Sequence, residues 1–233
     1  YEDAEIGYFK THYYGGIRKY QWTAIPLSLH GVIVKKGGEA VAVSVGEEPG
    51  EPVFSITDLL PHLSKDQDAR KLGDGVRGEE LNIVIGSRPF RDDKASQKVK
   101  LAIAKLLFDK YGIVESDFQA ADLQAVPAFA PRDVGFDRSM VGAYGQDDKV
   151  CAYTSLMAAI EAPAPEYTHV TVMADKEEVG SPGATGMGSD YFVYFISDLA
   201  KPYGIEGRTV LTHTKCLSAD VNCAFDPSFP DVA

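Results

Sequence analysis

Three acidic clusters stand where this sequence could do chemistry: Gly145-Gln146-Asp147-Asp148, Asp175-Lys176-Glu177-Glu178 and Ser218-Ala219-Asp220. The second and third each follow a short apolar run, and the first directly precedes an apolar helical one. Ligands of open α/β sheets bind beyond the carboxyl ends of the strands, so such positions come first. Carboxylates gathered at one edge repel one another unless a cation sits among them, and their convergence would make a metal site. Two divalent ions about 3.5–4 Å apart, sharing one carboxylate and one water, would use such a set. Glu177 and Glu178 are neighbours, so in an extended or turning segment their side chains diverge. One can bind metal while the other handles a proton. Each cluster also has an ordinary explanation: Asp147 or Asp148 as a helix N-cap, and the remaining acids as solvated loop residues.

The elements that must position these residues fall into two groups. Residues 31–36 (GVIVKK) and 41–45 (VAVSV) flank Gly37-Gly38 and predict a hairpin. Two more short strands are expected at 53–56 and 81–85, with the polar, Gly-rich stretch 64–80 as an exposed loop between them. Val99, Ala102, Ile103, Leu106 and Leu107 recur at helical spacing and predict a helix ending near Gly112. Further on, helices are expected at 149–160 and 189–200, and strands at 169–174 (HVTVMA) and 209–212 (TVLT). Strand and helix in alternation predict an α/β fold, a mostly parallel sheet with flanking helices, with the hairpin-rich stretch as a separate β-rich domain.

Composition narrows the chemistry. The 233 residues carry 23 Lys and Arg against 34 Asp and Glu, a net charge of −11, which argues against nucleic acid or an anionic membrane as a partner. A hydrophobic share of 45% and a charged share of 24% exclude disorder, collagen and coiled coil. Acidic or basic residues interrupt every apolar run before it could span a bilayer. The three cysteines, Cys151, Cys216 and Cys223, form no C-x-x-C pair and are too few for a disulfide framework. With no charged leader before a short apolar stretch, the expected setting is the cytoplasm.

Asp175-Lys176-Glu177-Glu178-Val179-Gly180-Ser181 resembles the D-x-E-E-V-G-S signature of the aspartyl aminopeptidase and aminopeptidase I family of dinuclear zinc exopeptidases. Ser218-Ala219-Asp220-Val221 is similar to that family's S-A-D-[MV] segment, and Gly145-Gln146-Asp147-Asp148-Lys149-Val150 to its bridging-aspartate loop. Tyr14-Gly15-Gly16-Ile17, Trp22 and residues 27–34 resemble the approach to its inserted oligomerisation domain. The stretch DVGFDRSMVGAYGQDDKV is most similar to the bacterial branch.

The resemblance implies that Asp147 bridges two zinc ions, with cobalt or manganese as possible substitutes. Glu178 and Asp220 would each hold one ion. Glu177 would be the general base toward a metal-bridging water, and Asp148 would follow Asp147 across a cis peptide bond. It also implies a domain plan: part of the catalytic domain in 1–22, the inserted β-rich oligomerisation domain in 23–128, and the catalytic domain continued in 129–233 without its C-terminal part. The expected activity is release of N-terminal residues from short peptides, inside a homo-oligomeric, dodecamer-type shell built from dimers. His62, in Leu60-Pro61-His62-Leu63, resembles a histidine of the inserted domain that reaches a neighbouring subunit's active site. The family's two zinc-binding histidines, one in an H-x-D motif, have no counterpart here. Together with an opening Tyr1 in place of Met, this gives the expectation that the sequence is the middle of a longer protein. A non-catalytic assembly module and a related metal-dependent deacylase are the alternatives.

Other residues carry less. His12 and His213 occupy no position in the family pattern, and His30 and His169 flank expected strands. Gly183, Gly186 and Gly188 could line a phosphate loop, but no Lys or Arg accompanies them and the spacing fits no nucleotide fingerprint. Cys151 is expected to be packing within its helix.

Overall fold

The computed structural model describes residues 1–13, 15–179, 183 and 185–232, and the side chain of Glu178 lies outside that description. Strands and helices in chain order are β1 (Glu2–Asp3), β2 (Ile6–Phe9), β3 (Leu27–Val34), β4 (Ala40–Val45), β5 (Ser55–Ile56), α1 (Lys65–Asp68), β6 (Ile83–Gly86), α2 (Lys98–Tyr111), β7 (Ala121–Pro127), β8 (Arg132–Val134), β9 (Met140–Gly142), α3 (Gln146–Glu161), α4 (Tyr191–Ala200) and α5 (Gly207–His213). They belong to two compact units, residues 1–13 with 17–144 and residues 15–16 with 145–232.

The first unit is built on the hairpin that Gly37-Gly38 predicts. β3 and β4 pair antiparallel from Leu29↔Val45 to Val34↔Ala40, and the Gly38 amide closes the turn on the Lys35 carbonyl at 2.8 Å. β7 pairs along the other edge of β3, from Leu27↔Pro127 to Ile33↔Ala121. Alternation along β3 sends Leu27, Leu29 and Ile33 to one buried face. There Leu29 and Ile33 meet Val43, Val45 and Ile113, with Leu107 and Tyr111 of α2 against them. A second sheet, in the order β1-β2-β6-β5, is also antiparallel throughout. Its cluster of Leu27, Ile56, Val76, Leu81 and Ile83 shares Phe9, Phe54 and Ala125 with the first, so one continuous core joins the two sheets. Burying a leucine such as Leu27, which has no exposed surface, stabilises the fold by roughly 1.5–3 kcal/mol.

Gly31 makes the β3–β7 ladder possible. Its φ is +143°, and a Cβ built there would lie 1.9 Å from the Asp122 carbonyl oxygen, so no other residue fits that pairing without moving one of the strands.

Residues 64–80 differ from the open loop that their composition suggests. They fold as α1 and two 3-10 turns, Leu72–Asp74 and Gly78–Glu80. Ser64 Oγ donates to Asp68 Oδ2 at 2.7 Å, and Arg70 Nη1 donates to both Glu80 oxygens at 3.0 Å. Val76, the apolar residue amid this polar stretch, anchors it in the core.

The second unit holds α3, α4 and α5, and one strand expectation is corrected there. Residues 209–212 lie inside α5, because a four-residue β-branched run is too short to fix a period and the segment packs as a helix against α4. The contact is close: a Cβ on Gly207 would come within 2.2 Å of Ser197 Oγ. Residues 169–174 form no ladder among the described residues; their apolar pattern suits a strand, but a strand exists only with a partner. The chain thus has mixed α/β content with small antiparallel sheets. Among the described residues the only parallel pairing is an isolated bridge between Thr23 and Ile56. No helix among them is long and apolar enough to cross a membrane.

Candidate metal centre

The site lies within the second unit and starts where α3 begins. Gly145, with φ +77°, turns the chain into Gln146, Asp147 and Asp148. Asp147 and Asp148 are not helical (φ, ψ of −85°, 110° and −117°, 30°), so the regular turns of α3 start at Lys149. The peptide bond between the two aspartates is cis, as the resemblance implies. Asp220 comes from the irregular segment after α5, where its Oδ1 accepts the Val221 amide at 2.7 Å.

These segments bring three carboxylates together. Asp147, Asp148 and Asp220 each offer an oxygen, and the three oxygens lie within 4.8 Å of one another. Asp147 and Asp220 are exposed and Asp148 is half-buried, with its Oδ1 out of contact with solvent and without a hydrogen-bond partner. A buried carboxylate oxygen with no donor, beside two further acids, is costly unless a cation supplies the missing partner. Zinc accepts carboxylate oxygens, so the residues present fit a metal ion. Among the described residues no histidine joins the group.

Cys151, one turn into α3, also faces this cluster. Its thiol is pushed up to about 11, first by its hydrogen bond to the Asp148 carboxylate, then by loss of solvent, then by the charges of Asp148, Asp220 and Asp147. The packing role expected of Cys151 from sequence says nothing of this acidic setting. Asp148 is the other addition: the resemblance gives it a place in the chain and no ligand role. Its adjacency to Asp147 in Gly-Gln-Asp-Asp was the available signal.

The remaining expected residues are placed separately. Glu177 is exposed and opens a 3-10 turn, Glu177–Val179. Asp175 holds the base of that loop: its amide donates to the Thr185 carbonyl at 3.2 Å, and its Oδ2 accepts the Thr185 hydroxyl at 3.2 Å. The side chain of Glu178 and the motif residues Tyr14, Gly180 and Ser181 lie outside the described residues. His62 belongs to the first unit and is exposed in the turn before α1.

The family model for the aminopeptidase I zinc metalloproteases (M18) matches residues 2–233. The chain belongs to the M18 family. It is 50% identical over 236 aligned residues to a Clostridium acetobutylicum protein named "Probable M18 family aminopeptidase 1", covering 100% of this chain and 51% of that one. A crystal structure of an M18 family aminopeptidase from Thermotoga maritima matches with a TM-score of 0.92 at 42% identity, over 100% of this chain and 52% of that one. A Saccharomyces cerevisiae structure, the mApe1 dodecamer, matches with a TM-score of 0.56 at 21% identity, over 99% of this chain and 52% of that one, and bears on fold alone. The chain thus spans about half the length of the M18 relatives it matches. The motifs read from the sequence and the M18 match agree.

Proposed function

We propose that this chain carries the acidic half of the metal centre of an M18 zinc aminopeptidase that releases N-terminal residues from short peptides. The observation that carries the reading is the meeting of Asp147, Asp148 and Asp220 within 4.8 Å. Asp147, Glu178 and Asp220 would hold the zinc, with Asp147 as the shared carboxylate if two ions bind, and cobalt or manganese would be able to substitute. When bound, zinc supplies Lewis acidity, polarising the scissile carbonyl and lowering the pKa of water.

The chain's own residues do the rest. Glu177 takes a proton from the attacking water and delivers it to the departing amine, a role its exposed place on a short turn allows. The β-rich residues 23–128 form the oligomerisation domain, with 1–22 and 129–233 assigned to the catalytic domain, whose parallel sheet takes in 169–174. His62 reaches the active site of a neighbouring subunit in a closed shell. Closed symmetric assemblies are the usual outcome of interfaces between identical subunits.

The test uses the full-length protein. Stripping divalent cations with a chelator should abolish hydrolysis of an aminoacyl-amide, and zinc or cobalt should restore it. Substrates with a free amine should be cleaved and their N-acylated forms refused. Activity that survives complete metal removal, or a preference for acylated substrates, would overturn the reading.

A further inference from the structure

We infer that β4 carries a contact between two copies of this chain, its free edge pairing antiparallel with the same strand of a second copy about a twofold axis through Ala42. The inference rests on the reading of residues 23–128 as the oligomerisation domain and adds the strand that makes the contact.

β4 ends the three-stranded sheet β4-β3-β7, so one of its edges has no strand beside it. The Lys35 amide donates to the Glu39 carbonyl at 2.8 Å, and bonded pairs recur at every second residue of an antiparallel ladder. Val41, Val43 and Val45, opposite Ile33, Gly31 and Leu29, therefore bond β3, and the backbone groups of Ala40, Ala42 and Ser44 point outward. No backbone partner meets them among the described residues. Native edge strands are normally blunted by charge, proline, a bulge or short length. β4 has none of these: Ala-Val-Ala-Val-Ser-Val is uncharged, runs for six residues and keeps an unbroken register with β3. On the other side of the sheet β7 carries Asp122 and ends on Pro127, and in the second sheet β1 and β5 have two residues each.

Charge selects a second copy as the occupant. Lys35 and Lys36 precede β4, and Glu47, Glu48 and Glu51 follow it. Lys35 is engaged by Glu39 at 3.2 Å, Glu47 by His30 at 3.1 Å, and Glu51 by the Gly46 amide at 2.8 Å. Lys36 and Glu48 are left without an ion-pair partner among the described residues. Opposed residues of an antiparallel pair share a face, so a register centred on Ala42 sets Val41 against the partner's Val43 on the core side and Ala40 against the partner's Ser44 on the outer side. The same register puts Lys36 opposite the partner's Glu48, and symmetry repeats the pair at the other end. The strand is thus self-complementary in backbone, in side-chain face and in charge, as an isologous contact requires.

Sedimentation of the full-length protein over a dilution series tests this. Ala42→Lys sets two like charges on the axis, Lys36→Glu and Glu48→Lys each oppose like charges, and the double exchange restores opposite ones. The assembly should dissociate at a concentration at least about tenfold higher for Ala42→Lys, about 2–30-fold higher for either single exchange, and within about threefold of wild type for the double exchange. Lys36 and Glu48 are exposed beside the turns, so the exchanges decide the matter if Ala42→Lys does not fold. A folded Ala42→Lys variant that assembles as wild type does would overturn the β4 pairing, since another part of the full-length chain or another surface then covers or replaces that edge. Single exchanges without effect, or losses that the double exchange fails to rescue, would overturn it as well. A wild-type protein that stays monomeric at every concentration overturns the oligomerisation reading itself, whereas an assembly indifferent to these variants overturns only the present inference.

Discussion

Asp147, at the head of α3, and Asp220, in the irregular segment after α5, present carboxylate oxygens within 4.8 Å of each other. The α4–α5 pair lies between them in the chain, and a Cβ on Gly207 would clash with Ser197 at the contact of those two helices.

If Glu177 is the base, Glu177→Gln removes proton transfer and spares the ligands. The expected outcome is wild-type zinc content by elemental analysis, with turnover reduced about 10²–10⁴-fold. Near-normal turnover in that variant would remove Glu177 from the mechanism.

His62 gives a prediction that only an assembly can satisfy. His62→Ala and Glu177→Gln should each be impaired alone. Oligomers dissociated, mixed and reassembled from the two should regain activity, since some sites then combine an intact His62 from one subunit with an intact Glu177 from another. A mixture no more active than the sum of its parts would place the function of His62 elsewhere.

Gly31→Ala should cost about 3 kcal/mol or more in chemical denaturation, since the added methyl meets the Asp122 carbonyl where β3 and β7 pair. Gly38→Ala, at a turn with open space around it, should cost less despite its φ of +85°. Equal losses would show that backbone conformation, and not the close approach, governs position 31.

Glu80 lies below its ordinary value of 4.5, chiefly because the Arg77 amide donates to it at 2.8 Å, and then because Arg70 does. A carboxylate with a lowered folded pKa stabilises the fold above its unfolded value and ceases to do so as pH falls through the folded one. The stability gap between wild type and Glu80→Gln should therefore be full above about pH 5 and shrink on acidification below about pH 4. A gap independent of pH in urea denaturation would assign the effect to packing.

How much of this was legible in the sequence depended on the range of the signal. The β3–β4 hairpin and α2 rest on local rules: a Gly-Gly turn between β-branched runs, and a long 3.6-residue period closed by Gly112. Asp147 and Asp220 could be singled out because their motifs are specific. Residues 209–212 went the other way, since Thr-Val-Leu-Thr has a strand's composition and only its packing on α4 makes it a helix. The meeting of Asp148 with Asp147 and Asp220 was hidden by the approach to α3, where both adjacent aspartates leave the helical conformation.

Residues 169–174 carry a consequence for handling the protein. Val170, Val172 and Met173 are exposed on an apolar run without a ladder among the described residues. Such a run is an adhesive template that any second copy can extend into an intermolecular sheet. Produced as these 233 residues alone, the chain should precipitate through that run, and a single gatekeeper charge, Thr171→Lys, should keep it in solution.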